Sequence, residues 1–239
     1  MNYIKCLLRH QGWIVMTEDR LQRVMEIISD SLVPLLRGTL NYTIPLSLIS
    51  FFLGLILALL VALASLSPNR FLSKLARSYV WIIRCTPILV QLFIIFYGLP
   101  HYGILLSPFV SVLISLTLSE GAYTSEIIRA SILSLPEGQW RAGYALGMSR
   151  RQVLVKVILP QALRVCIPPF GNQFITLVKT TSLAALVTLP DLFGAAKLIA
   201  ASTFEPMLLY LLAGVYYLVI CSLLTVGQSR LERRWEYAK

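Results

Sequence analysis

The chain has 239 residues, 57% hydrophobic and 13% charged, with a formal net charge of +10 and a mean hydropathy of +0.75. Soluble domains carry about 25% charged residues, so this is a membrane protein. Its Lys and Arg gather between apolar runs, the bias of cytoplasmic loops rather than of a nucleic-acid-binding surface. Four cysteines without a CxxC pair, and only two histidines, predict neither a disulfide framework nor a metal site.

A spanning helix takes about 20 mainly apolar residues, and five are predicted. Residues 1–24 form an N-terminal extension without the apolar core of a signal peptide. The first span covers 40–64, where Gly54, Ala58 and Ala62 recur every four residues. That spacing suits a close-packed helix seam, and equally suits small residues facing lipid. A connection at 65–84 follows, bearing Arg70, Lys74, Arg77 and Arg84 and no acid. The second span covers 84–106 and the third 109–133. A polar interval occupies 134–160, and the fourth span, 161–186, is expected to be broken at Pro168 and Pro169. The fifth covers 207–226, ahead of a tail at 229–239. The Lys/Arg distribution puts 65–84, 134–160 and the tail in the cytoplasm, and 99–108 and 187–206 outside. Five spans then leave the N-terminus outside. The fold class is all-α, a polytopic membrane protein of about five transmembrane helices with a cytoplasmic loop.

The polar interval "GQWRAGYALGMSRRQVLVKVILP" carries two helix-start signals. Ser134 with Glu137, and Ser149 with Gln152, both fit a capping box. Gly147 fits a left-handed helix stop, and Glu137 with Arg141 forms a favourable i,i+4 pair. Two short helices joined at "LGMS" are predicted. Trp140 and Tyr144, one turn apart beside Ala142 and Gly143, make the first a docking surface.

Ionisable groups within spans are costly and default to functional candidates. On the third span Ser119, Tyr123 and Glu126 share a face, with Glu120 about a third of a turn away. On the fourth, Asn172, Thr176 and Lys179 recur at i, i+4 and i+7. An acidic face and an amide or basic face suit the ammonium and carboxylate of an amino acid. The alternatives are an i,i+3 pair of Glu126 with Arg129 and a snorkelling Lys179.

Several stretches together resemble the permease subunits of bacterial ABC amino-acid importers. They are Arg141-Ala142-Gly143, Gly147 and Ile158-Leu159-Pro160 in the loop, and "SDSLVPLLRGT", "RCTPILVQLF", "AYTSEIIRA" and "LPQALRVCIPPFGNQFITLVKTTSLA" elsewhere. The resemblance covers about 25–228, is to the polar amino-acid type (histidine, glutamine, arginine, cystine), and is strongest toward cystine permeases. It departs in the loop, where Arg141 replaces the usual Glu and Gly143 the second Ala, and at Glu120, usually small or an amide. It implies that 134–160 seats on a separate ATPase through Glu137, Trp140, Arg141, Ala142, Gly143, Tyr144, Gly147 and Pro160. It also implies a substrate pathway lined by Ser119, Glu120, Tyr123, Glu126, Asn172, Thr176 and Lys179. The implied partners are an ABC ATPase dimer, an extracytoplasmic solute-binding protein, a second permease copy (as homodimer or heterodimer), an amino-acid substrate and the lipid of the bacterial inner membrane. No GxxxxGK[ST] loop occurs in the chain, so no enzymatic role and no cofactor is expected here, with ATP and Mg bound by the partner ATPase. The alternative is a secondary amino-acid transporter driven by an ion gradient, which the lack of two matching halves disfavours.

Overall fold

The computed structural model describes residues 18–236, so most of the expected N-terminal extension and the last three tail residues lie outside the described part. Ten α-helices, and no strand, occur among the described residues. Helix α1 (Glu18–Gly38) continues through a wide turn at Thr39–Thr43 into α2 (Ile44–Ser65). The expected first span is thus the second half of one 47-residue helix, Asp19–Ser65. Hydroxyls within it donate to their own backbone, Thr39 to the Leu35 carbonyl at 2.8 Å and Ser47 to that of Thr43 at 2.7 Å. Such bonds let polar residues sit in an apolar surrounding without an outside partner.

The basic connection is itself a helix, α3 (Arg70–Cys85), started by Asn69, whose side chain accepts from the Phe71 and Leu72 amides. Its mean hydropathy is low because cations alternate with apolar residues at helical spacing, which a span search passes over. Ser73, Ala76 and Val80 turn into the protein. The chain then bends by 101° into Ile88–Tyr102, which begins as α4 (Ile88–Phe93). Thr86 is extended, as the residue before a proline must be, and Gln91 closes the corner. Its amide donates to the Ile83 carbonyl at 2.9 Å, the Thr86 carbonyl at 3.1 Å and the Thr86 hydroxyl at 2.8 Å.

Helix α5 (Pro108–Leu133) is the expected third span, capped by Ser107. It carries its polar residues inward, with Ser111, Ser115, Glu120, Thr124 and Ser125 all buried. Helix α6 (Glu137–Ala145) follows, and then α7 (Arg150–Val153), a wide turn at Leu154–Ile158 and α8 (Leu159–Thr180). The last three, with the tight turn after them, form one helix, Arg150–Val187. Two expectations are corrected here. The second short helix of the polar interval is the start of the fourth span, and Pro160, Pro168 and Pro169 do not stop it. A proline removes one backbone bond and crowds the preceding turn, and the wide turn ahead of Pro160 makes room for its ring.

The expected loop 187–206 also contains a helix, α9 (Leu192–Thr203), too short to span. Asp191 caps it, accepting from the Gly194 amide at 2.9 Å, and Thr43 accepts from the Leu192 amide at 3.1 Å. Helix α10 (Pro206–Glu236) is the last span. Three helices are long and apolar enough to cross a membrane, with the bent α3–α4 pair as a fourth. Helix α5, the expected third span, is long enough but not apolar enough to join them, so four of the five expected spans meet that measure.

The seam between α2 and α5 decides the packing. Gly54, Ala58 and Ala62 are all buried in it, which selects the close-packing reading over the lipid-facing one. A Cβ on Gly54 would stand 2.6 Å from both Cβ and Cγ of Glu120. We predict that Gly54→Ala lowers stability by about 1–3 kcal/mol through overpacking, and that Gly54→Leu abolishes extraction of folded protein. Thermal unfolding in detergent checks both. An unchanged melting temperature for Gly54→Leu would show that the seam is not closed.

Candidate functional site

A groove of about 520 Å³ opens where α5, α8 and the α3–α4 corner meet. Its polar lining is Ser119, Glu120 and Tyr123 from α5, Gln173, Thr176 and Thr180 from α8, and Arg84 and Thr86 from the corner. Glu120 is the buried member, 1% exposed. Its carboxylate accepts from the Thr124 hydroxyl at 2.6 Å and from the Gln173 amide at 3.0 Å. Among the described residues it has no salt-bridge partner, so only neutral donors hold it.

A second cavity of about 630 Å³ adjoins the groove and shares Arg84, Cys85 and Tyr123 with it. Glu126 and Arg129 lie here. Arg129 donates to both Glu126 oxygens at 2.9 Å, through Nε and a terminal nitrogen. Arg84 stands 3.7 Å from the same carboxylate and 5.3 Å from the centre of the Tyr123 ring, a cation–π distance. The i,i+3 pairing weighed as an alternative is therefore the geometry of Glu126, and both its oxygens are engaged.

Of the expected α8 face only Thr176 enters the groove. The Asn172 side-chain carbonyl accepts from Gln228 of α10 at 3.2 Å. Lys179 is exposed and is not part of the groove lining. The groove-lining face is Gln173, Thr176 and Thr180, at i, i+3 and i+7, sharing Thr176 with the expected series and lying one residue along at the other two positions. Gln173, Thr180, Arg84 and Thr86 were missed. The available signal was "RCTP", which places an arginine two residues before a helix-breaking Thr-Pro and so at a corner.

The polar interval forms a compact cap at the other end of α8. Helix α6 ends as expected at Gly147, whose φ is +72°. The Gly147 amide donates to Tyr144 at 2.9 Å and the Met148 amide to Gly143 at 3.1 Å, the paired bonds of a Schellman stop. Ser149 and Gln152 form the expected capping box. Ser134 and Glu137 do not. Pro136, in extended conformation, precedes α6 without a side-chain cap, and the Ser134 hydroxyl donates to Ser131 at 2.9 Å. Glu137 instead pairs with Arg141 at 2.8 Å, both side chains about four-fifths exposed, an arrangement worth little to stability.

Gly143 is buried, and a Cβ there would come within 2.7 Å of Val153. Glycine at this place therefore follows from the close crossing of α6 and α7. Trp140 is half-buried, packed against a cluster that includes Ala62, Ile132 and Val153. Trp140 is therefore turned partly inward, away from the docking surface expected of it with Tyr144. The projecting apolar groups are Tyr144, 46% exposed, and Leu146, 80% exposed, with Ala142 and Arg141 beside them on the exposed side. The amide of Gln161 donates to Gln139 at 3.1 Å and ties α6 to α8 just beyond Pro160.

Comparison with known proteins agrees on one kinship. The chain is 50% identical over 210 residues to the L-cystine transport system permease protein TcyB of Bacillus subtilis (strain 168), covering 87% of this chain and 90% of that one. It is 34% identical over 204 residues to the glutamine transport system permease protein GlnP of Escherichia coli (strain K12), covering 84% and 93%. Among solved structures, an amino acid ABC transporter with histidines superposes with a TM-score of 0.83 at 30% identity, over 92% of this chain and all of that one. The MetNI methionine ABC transporter in an inward-facing conformation shares the fold, with a TM-score of 0.72 at 20% identity over 84% of this chain and 96% of that one. Residues 27–237 match the family described as binding-protein-dependent transport system inner membrane component, and the chain belongs to that family.

Proposed function

We propose that this chain is the membrane permease subunit of an ATP-driven importer of polar amino acids of the cystine class. Two copies, or one copy and a sister permease, enclose the pathway in the bacterial inner membrane. An ABC ATPase dimer binds ATP and Mg on the cytoplasmic side, and a solute-binding protein delivers the amino acid from outside. The observation that carries this reading is the groove in which Glu120, Ser119 and Gln173 share a lining with Arg84. A carboxylate and a guanidinium in one groove suit the two charged ends of a free amino acid. The 50% identity to TcyB supports the cystine class, and the match over 90% of that permease's length supports the subunit role. The basic surfaces at 65–84 and 134–160 face the cytoplasm in this reading, with α6 seated in the ATPase.

In this assignment the ammonium contact falls to Glu120, with Ser119, Tyr123 and Thr176 lining the passage. Glu126 positions Arg129 and Arg84, while Asn172 and Lys179 lie off the groove. We predict that Glu126→Gln lowers cystine uptake in whole cells, because it leaves arginines uncompensated, and that Glu126→Gln/Arg129→Gln recovers most of it. A double variant that stays inactive while its binding-protein-stimulated ATP hydrolysis persists would transfer the solute contact to Glu126.

Coupling through the loop has its own test. Gly147 has nothing within 4 Å of an added Cβ, so Gly147→Asp acts through backbone strain of about 1–2 kcal/mol at φ +72° and not through a clash. We expect the variant to insert and extract normally and to lose its ATPase on co-purification from detergent. Full retention of the ATPase would remove α6 from the docking surface.

A further inference from the structure

The turn at 66–69 separates two cavities that share Ser67 and Pro68 as a common rim. On one side a groove of about 600 Å³ has apolar walls from Leu63, Leu66, Ile132, Leu133 and Leu154, and it includes Arg150 and Arg151. On the other a cavity of about 550 Å³ is lined by Arg70, Lys74 and Arg77 with Trp81. No carboxylate lines either cavity. Among the described residues, none of these five cations has a salt-bridge partner.

The helix that bears three of them has a second free face. Phe71, Leu75 and Ile82, at i, i+4 and i+11, are 77%, 58% and 51% exposed. A helix with cations on one face and large apolar groups on another settles in the membrane–water interface. Basic pockets between spanning helices at that level receive anionic head groups.

We propose that the paired cavities bind one anionic phospholipid. An acyl chain lies in the apolar groove and the phosphate sits at the Ser67–Pro68 rim. Arg70 and Lys74 flank it on one side, Arg150 and Arg151 on the other. A docked acidic protein would satisfy the cations but leave the apolar walls uncovered, including Leu133 at 60% exposure. A phospholipid satisfies both. The site does not depend on which solute is carried.

Native mass spectrometry of the detergent-purified full chain tests this, with phosphatidylglycerol and phosphatidylcholine of identical acyl chains as probes. Phosphatidylglycerol adducts are expected to persist at activation energies that strip phosphatidylcholine. Their retention should fall by roughly fivefold for each cation removed in Arg70→Gln/Lys74→Gln/Arg150→Gln/Arg151→Gln, and stay unchanged in Lys197→Gln, an exposed cation on α9. Should the fourfold variant aggregate, Arg70→Gln/Lys74→Gln is measured instead, with a correspondingly smaller loss. Equal retention of the two lipids would overturn the proposal, as would full retention by the charge-removed variants. Loss of phosphatidylglycerol from the complex purified with its ATPase would overturn it too, assigning the cations to that protein.

Discussion

One buried carboxylate constrains the middle of the bundle. Inside a packed set of spanning helices an acid without partners costs several kcal/mol, so Glu120 must be met by donors wherever it points. Thr124 supplies one from its own helix and Gln173 supplies the other from α8. The second bond sets the height of α8 against α5. Gly54 then allows α2 to lie directly on the Glu120 stem. Three helices are thus registered against one side chain, and the polar groove is the space left beside it.

The peripheral layers are fastened differently. Leu35, Ala196, Ala200, Leu209 and Ala213 from α1, α9 and α10 form a separate buried cluster. A few polar ties from side chains to backbone join it to the rest, among them Gln228 of α10 to the Pro168 carbonyl of α8 at 3.2 Å. On the outward face of α10, Leu211, Leu218 and Leu223 are 57%, 66% and 69% exposed, as suits a surface solvated by lipid. The groove, by contrast, is lined from α5, α8 and the α3–α4 corner, beside the buried acid.

Much of this was legible in the sequence where the causes are local. The stop at Gly147, the capping box of Ser149 and Gln152, and the pair of Glu137 with Arg141 each involve residues within one helical turn, and each is present. The Ser134–Glu137 spacing is identical and fails, because Pro136 holds the chain extended where a cap would need Ser134 beside the first turn. Helix α3 was hidden by averaging, since its cations offset its apolar residues. Pro168 and Pro169 read as a break because a proline's lost bond is visible in sequence, while the neighbours that hold the helix together are not. Gln173 and Arg84 come from segments far apart in the chain. Nothing in either local stretch shows that they line the same groove as Glu120.

The continuity of Arg150–Val187 carries a mechanical consequence. At 1.5 Å per residue its 38 residues span about 57 Å, with the cap of α6 braced at one end by Gln139–Gln161 and by Gly143 against Val153. Thr176 and Thr180 of the groove lie near the other end. A rod of that length pivoting by roughly 10° about its middle moves each end by about 5 Å in opposite directions. The wide turn at Leu154–Ile158 lies close to the cap, so it is the compliant joint and the remaining length is the stiff arm. Because Gln139 of the cap is tied to Gln161, on the far side of that joint, a push delivered at the loop would bypass the wide turn and arrive at the groove as a sideways sweep of Thr176 and Thr180 across the face of Arg84.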